Sequence, residues 1–309
     1  MDRYPPGVRK AVIDVGSNSV LLVVEETQGD SWNQIHESTS VTALGAGTKE
    51  TGLLGEPGMT HTLEALKEMF AKANELGADT IVAAATMAAR IAKNTPDFLA
   101  RAKAQGTPVM VLSGEDEAEL GFRAVADDPT FAEFHRISIV DPGGQSTELV
   151  TADRSSKGWV TRFRKSYPVG TLGLKGEYLI DESTQPLEIL QALAAIDDTI
   201  GHTWRPEEGG EVVVLGATGT NLVSIRERLT HWQPEIVHGA RLEYEEVSKA
   251  VGWMMPMTDA ERRAIPGMEP GREKTIHIGA LILERFLHAL SADHCRVSVR
   301  GWRHALLEG

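Results

Sequence analysis

The segment Val12-Ile-Asp-Val-Gly-Ser-Asn-Ser-Val-Leu-Leu-Val-Val24 returns, in altered form, as Ile139-Val-Asp-Pro-Gly-Gly-Gln-Ser-Thr-Glu-Leu-Val-Thr151. Each copy is a short apolar run ending in Asp, a polar turn containing glycine, and a second apolar or alternating run, which is the pattern of strand, tight turn and strand. In register, Asp14 meets Asp141, Gly16 meets Gly143 and Ser19 meets Ser146. A chain that makes the same hairpin twice is built of two related halves. Its 309 residues, about twice a typical domain, agree with that division. The polar stretch at residues 127–131 precedes the second copy, so the expected domains are 1–127 and 128–309, the second carrying extra helices.

The pattern between the hairpins extends the repeat. Trp32 to Ala43 reads as a third strand, and Leu63, Leu66, Phe70, Ala73 and Leu76 follow helical spacing up to Gly77, where a C-terminal cap belongs. Thr80 to Ala85 and Pro108 to Leu112 read as strands separated by short helices, Met87 to Asn94 and one restarting at Thr95-Pro96, and Glu115 to Ala126 as an acidic helix. The second half repeats the order: strands to about Phe163, a helix from Pro186 to Ile200, a strand from Glu211 to Leu215 and a helix from Thr220. A strongly apolar segment, Ile276 to Leu290, and a short strand, Arg296 to Val299, complete it, the apolar segment reading as core in preference to a dimer face. Three strands followed by alternating strands and helices make an α/β layer unit, here in two copies.

Composition removes several function classes. A formal charge of −13 argues against general nucleic-acid binding, which needs a net basic face, so a polyanionic ligand requires a local basic cluster or a metal. The single cysteine, Cys295, excludes an internal disulfide, and Met1-Asp-Arg-Tyr-Pro-Pro6 lacks the apolar region of a signal peptide. No run reaches membrane-spanning length, and the expectation is a soluble cytoplasmic protein. The histidines show neither a His-Glu-x-x-His run nor zinc spacing, and no Walker A loop or Gly-x-Ser-x-Gly elbow is present.

The residues suited to chemistry cluster at the repeated turns and at two strand ends. Gly16, Ser17, Asn18 and Ser19 offer small-residue backbone and side-chain donors for a phosphate, as do Gly143, Gly144, Gln145 and Ser146; positive φ at Gly16 would aim successive N–H groups at one anion. The plainer account, an ordinary hairpin turn, is weakened by the duplication. Asp141 ends one expected strand and Glu148 lies inside the next, so their hairpin brings two carboxylates together, a hard-oxygen set for Mg²⁺ or Mn²⁺, with Asp14 the corresponding acid of the first copy. At the start of the acidic helix, Glu115 and Asp116 are accounted for by the helix dipole. Glu117 stands at a strand-to-helix junction, where ligands bind in open α/β sheets and a base can take a proton from water. Arg90, following the small-residue strand, suits a bidentate phosphate clamp. Val214-Leu-Gly-Ala-Thr-Gly-Thr220 is a comparable turn, for a further phosphate or for packing.

Taken together, these residues resemble the exopolyphosphatase/guanosine pentaphosphate phosphatase family, within the actin-like ATPase superfamily of duplicated ribonuclease-H-like domains. The markers run in order along nearly the whole chain: Ile13-Asp-Val-Gly-Ser-Asn-Ser19, Ala85-Thr-Met-Ala-Ala-Arg90, Leu112-Ser-Gly-Glu-Asp-Glu-Ala118, Val140-Asp-Pro-Gly-Gly-Gln-Ser146 and Tyr167-Pro-Val-Gly170. Gly216-Ala-Thr-Gly-Thr220, Pro270-Gly-Arg272 with Ile278-Gly-Ala280, and Val297-Ser-Val-Arg-Gly-Trp-Arg303 follow. The resemblance implies an α/β fold of two ribonuclease-H-like domains with an active-site cleft between them, as in the short two-domain members. It implies Glu117 as catalytic base, Arg90 as phosphate-binding arginine, and Asp141 and Glu148 as metal-associated carboxylates. Three departures stand out: Pro142 and Gln145 in the second loop, Arg272-Glu-Lys274 in place of Arg-Ala-Asp, and Val297-Ser-Val299 in place of Val-Ser-Asp.

The expected activity is metal-dependent release of terminal orthophosphate from inorganic polyphosphate, by direct attack of water. The acidic overall charge argues against long polyphosphate, since a chain running beyond the cleft needs a basic track, for which Arg162, Arg164, Lys165, Arg262, Arg263 and Arg272 are the candidates. Short polyphosphate, or the 5′-phosphate of guanosine pentaphosphate, is the neighbouring enzymatic alternative, with a place in the stringent response. A homodimer is expected. A non-catalytic sensor of polyphosphate or alarmone is the alternative from another class, motivated by Gln145 and the two missing acids. Sugar kinases and chaperone ATPases share the duplicated hairpins but are generally longer and carry a clearer adenosine pocket.

Overall fold

The computed structural model describes residues 7–28, 31–126, 128–201 and 210–308. The expectations resting on residues 1–6 and on residue 127 lie outside them.

Among the described residues the chain forms two mixed sheets. The first contains β1 (Arg9–Val15), β2 (Ser19–Gln28), β3 (Ser31–Val41), β4 (Thr80–Ala85) and β5 (Met110–Val111), in the order β3-β2-β1-β4-β5. The second contains β6 (Arg136–Pro142), β7 (Thr147–Ser155), β8 (Gly158–Tyr167), β9 (Glu211–Val214), β10 (Arg241–Glu243) and β11 (His294–Val297), in the order β10-β11-β9-β6-β7-β8. Apart from the added β10, the second order is the first repeated: an antiparallel meander whose first strand pairs in parallel with the strand after the crossover. This is the ribonuclease-H-like domain in two copies. The doubled hairpin survives as matching register, Asp14 opposite Leu21 in the first sheet and Asp141 opposite Glu148 in the second.

Two compact units result: one of residues up to Leu120 together with those from Trp302 onward, the other from Gly121 to Gly301. The division falls inside the helix Gly114–Ala126, a few residues before the expected boundary at 127/128, and the last helix, Trp302–Glu308, belongs with the first unit. The reason is apolar burial. Trp302 and Leu307 pack with Val12, Val23, Ala84 and Leu112 on one face of the first sheet. Ile13, Leu22, Leu66 and Phe98 fill the other face under the helix Glu56–Glu75.

In the second unit the helix Ile276–Ala289 is buried at every residue from Ile276 to Glu284, so the apolar segment is core. It packs with Val140, Leu149 and Tyr167, and Phe286 meets the Tyr167 ring edge-on at 5.3 Å. The helix expected from Thr220 instead starts at Gly216, so Gly216-Ala-Thr-Gly-Thr220 is its first turn. Glycine suits that position because the helix must nest against the sheet: a Cβ on Gly219 would lie 2.6 Å from a Val214 methyl.

Candidate active site

Both repeated turns close in the same way. The Gly16 N–H donates to the Ser19 carbonyl at 2.9 Å, and the Gly143 N–H to the Ser146 carbonyl at 2.8 Å. A Cβ would come within 3.0 Å of that carbonyl oxygen at Gly16 and 2.8 Å at Gly143. Glycine is therefore required by close approach. The positive φ expected at Gly16 is absent, and its N–H is committed to the turn instead of an anion. Ser17 is buried, its carbonyl accepting from Gly45 N–H at 2.8 Å, while the Asn18 carbonyl accepts from Thr42 and Ala43.

In the first unit, Thr86 N–H donates to Val15 O at 3.3 Å, setting the helix Met87–Ile91 at the end of β1. Arg90 extends from this helix. Its Nη1 donates to Glu117 Oε2 at 2.6 Å and to the Leu112 carbonyl at 3.1 Å, and its Nη2 to the Met87 sulfur at 3.7 Å. Burial pushes the Glu117 carboxyl above its usual range while Arg90 opposes the rise. Glu117 and Arg90 are thus brought together as a largely buried ion pair.

Asp14, at the end of β1, faces Arg303 of the last helix, whose Nη1 lies 3.4 Å from Asp14 Oδ2. Burial raises the Asp14 carboxyl to about 7, Arg303 lowers it, and the charge on Glu117 adds to the rise. Nothing local in the sequence connects Arg303 with a residue near the other end of the chain, so only the fold reveals this pairing.

In the second unit, Asp141 and Glu148 stand directly opposite on β6 and β7, so both carboxylates lie on one face of the sheet at the turn. Ser166 on β8 is opposite Glu148 and donates to its Oε1 at 2.7 Å. Gly216, at φ +73°, approaches from the end of β9; a Cβ there would sit 2.9 Å from Asp141 Oδ1. Gln145, expected to meet or crowd a phosphate, is 4 % exposed and packed beneath Gly170, where a Cβ would come 2.5 Å from the Gln145 nitrogen. Ser146 is also buried. The carbonyls of Gly143 and Gly144 accept from Thr171 and Leu172, so this loop caps the helix Thr171–Glu177. Its tight packing accounts for Gly170 beside it.

Two expected members of the basic track are placed otherwise. Arg262 is fully buried, donating to the carbonyls of Glu273, Met254, Met257 and Glu182 and to Asp259. Arg263 pairs with Glu273, a buried acid in the segment where the Arg-Ala-Asp pattern is altered. Arg162 pairs with Asp153 and Arg272 with Glu269, whereas Lys165 lies over the Tyr167 ring at 4.3 Å.

No group of three or more His, Cys, Asp or Glu side chains is placed to hold a metal ion among the described residues. No helix among them is long and apolar enough to cross a membrane. The donor set at Asp141 and Glu148 is two hard oxygen side chains with glycine beside one of them. That suits a Mg²⁺ or Mn²⁺ ion retaining water and sharing a substrate phosphate, and does not suit an all-protein cage.

Comparison with known proteins gives concordant findings. The model of the Ppx/GppA phosphatase family matches residues 22–309. Exopolyphosphatase 2 of Mycobacterium tuberculosis is 26 % identical over 318 aligned residues, covering 97 % of each chain. The crystal structure of the Aquifex aeolicus family member is 29 % identical with a TM-score of 0.81, covering 98 % of this chain and 97 % of that one. An exopolyphosphatase from Cytophaga hutchinsonii shares the fold at 22 % identity, with a TM-score of 0.86 and coverage of 97 % and 96 %.

Proposed function

Because the chain belongs to the Ppx/GppA phosphatase family and is a phosphoric anhydride hydrolase, we propose that it releases terminal orthophosphate from inorganic polyphosphate with the help of a divalent cation. The observation that carries the cation is the Asp141–Glu148 pair in direct register on one face at the turn. Two acids so close favour a cation between them, and a divalent ion bound there would neutralise charge on the phosphate oxygens. Asp14, with Arg303 already 3.4 Å away, is the weakest member of the expected metal set.

Glu117 takes the proton of the attacking water. Burial raises its affinity for a proton, and Arg90, which opposes that rise, holds the carboxylate in a fixed orientation. Arg90 retains a second function through Nη2, whose present acceptor is the weak sulfur of Met87 and is readily exchanged for a phosphate oxygen. The water oxygen forms a bond to the terminal phosphorus as the bridging P–O bond breaks, and the shortened chain leaves as its anion.

Polyphosphates of graded length and guanosine pentaphosphate, assayed side by side for released phosphate, test the reading. Polyphosphate is expected to give the higher kcat/KM; preference for guanosine pentaphosphate would reassign the substrate. Glu117→Gln keeps an oxygen acceptor for Arg90 while removing the base, so kcat is expected to fall about 10²- to 10⁴-fold with binding retained. Undiminished phosphate release by Glu117→Gln would remove Glu117 from this role.

A further inference from the structure

Asp141, Glu148 and Ser166 form one row across three strands. Asp141 of β6 is opposite Glu148 of β7, and Glu148 is opposite Ser166 of β8, so all three side chains project from the same face. The Glu148 side chain is buried, and the Ser166 hydroxyl donates to its Oε1 at 2.7 Å. A carboxylate held at one oxygen presents the other in a fixed direction. Here the neighbour across the next strand pair is Asp141, whose Oδ1 is approached closely by the Gly216 backbone.

The first half supplies an internal comparison. The corresponding row is Asp14, Leu21 and Thr39. It has the first acid and a hydroxyl but no central carboxylate to orient. The serine-to-glutamate hydrogen bond belongs only to the half that contains two acids.

We propose that Ser166 is a positioning residue for divalent-cation binding at the Asp141–Glu148 pair, holding Glu148 Oε1 so that the remaining oxygen is directed for coordination. This rests on the cation reading given above. A ligating carboxylate gains orientation from such an outer hydrogen bond, and loss of one typically weakens metal affinity about 10- to 100-fold. The cost of losing it is sharpened by burial, since a carboxylate withdrawn from water depends on the donors it retains.

The test is direct Mn²⁺ binding to the full chain without substrate, followed by the electron paramagnetic resonance signal of free Mn²⁺. Ser166→Ala is expected to bind about 10- to 100-fold more weakly than the parent, and Ser166→Thr, which restores the hydroxyl, to recover most of the affinity. At saturating Mn²⁺, Ser166→Ala is expected to keep kcat within about threefold, because the metal and its carboxylates are still present. Asp141→Asn and Glu148→Gln serve as references. If both references lose Mn²⁺ binding while Ser166→Ala binds like the parent, the role of Ser166 is refuted and the cation assignment stands. If neither reference weakens binding, the cation assignment fails and the proposal falls with it. Thermal melts of all variants identify any that are misfolded, in which case Ser166→Thr against the parent decides: affinity lowered to the level of the references would refute the hydroxyl's role, and retained affinity supports it.

Discussion

Replacing Asp14 by Asn should stabilise the protein while impairing its function. Burial raises the Asp14 carboxyl from 3.8 to about 7 despite Arg303 at 3.4 Å, so the ionised form is disfavoured in the folded state. A shift of that size corresponds to about 4 kcal/mol, taken at about 1.36 kcal/mol per tenfold change in proton affinity. The sign follows from a folded-state value above the unfolded one. The favourable contribution of Asp14 is complete below about pH 4 and is lost as pH rises through about 7. The parent therefore loses stability across this window relative to Asp14→Asn, which has nothing to ionise there. Roughly 2.5 kcal/mol of the separation should develop between about pH 5 and pH 8. Urea denaturation of both proteins at several pH values, in chelator and without substrate, measures it. A difference between parent and variant that stays constant from about pH 5 to pH 8 would refute the argument. Lower phosphate release by the more stable variant would identify the buried charge as a functional strain.

Arg262→Met should destabilise the protein by about 3–5 kcal/mol, because a fully buried cation binds Asp259 and four backbone carbonyls, and its loss leaves them without their donor. KM for polyphosphate should be unchanged in the folded fraction, and a raised KM would return Arg262 to the substrate track. Gly216→Ala should cost about 1–2 kcal/mol for the left-handed backbone and raise the Mg²⁺ concentration needed for activity, because its Cβ would press on Asp141 at 2.9 Å. Gly252→Ala is the control: nothing lies within 4 Å of the added carbon in the helix Tyr244–Met254, so a gain of about 0.5–1 kcal/mol is expected by thermal melt.

The hairpins were legible in the sequence because alternation and tight turns are local. Asp14 and Asp141 are the penultimate residues of β1 and β6, and Glu148 faces Asp141. The helix Pro186–Ile200 and the cap at Gly77 were legible for the same reason. The role given to Gly16 was not, since a residue type consistent with positive φ is equally consistent with a close carbonyl contact, and only the folded turn distinguishes them. Gln145 is the sharper case. Its polarity suggested a ligand, but Gly170 and the helix Thr171–Glu177 close over its loop from a later segment.

The sequence by itself determined a duplicated α/β chain and the acids near the strand ends, because these follow from patterns spanning a few residues and from a repeat visible to direct comparison. The tertiary structure alone decided which groups are charged partners. It joined Arg90 to Glu117 through adjacent parallel strands, brought Arg303 to Asp14 through the apolar return of Trp302 and Leu307, placed Ser166 on Glu148 through strand register, and withdrew Arg262 into the interior. Burial and long-range packing set proton affinity and hydrogen-bond supply, and neither is a property of a residue's sequence neighbours.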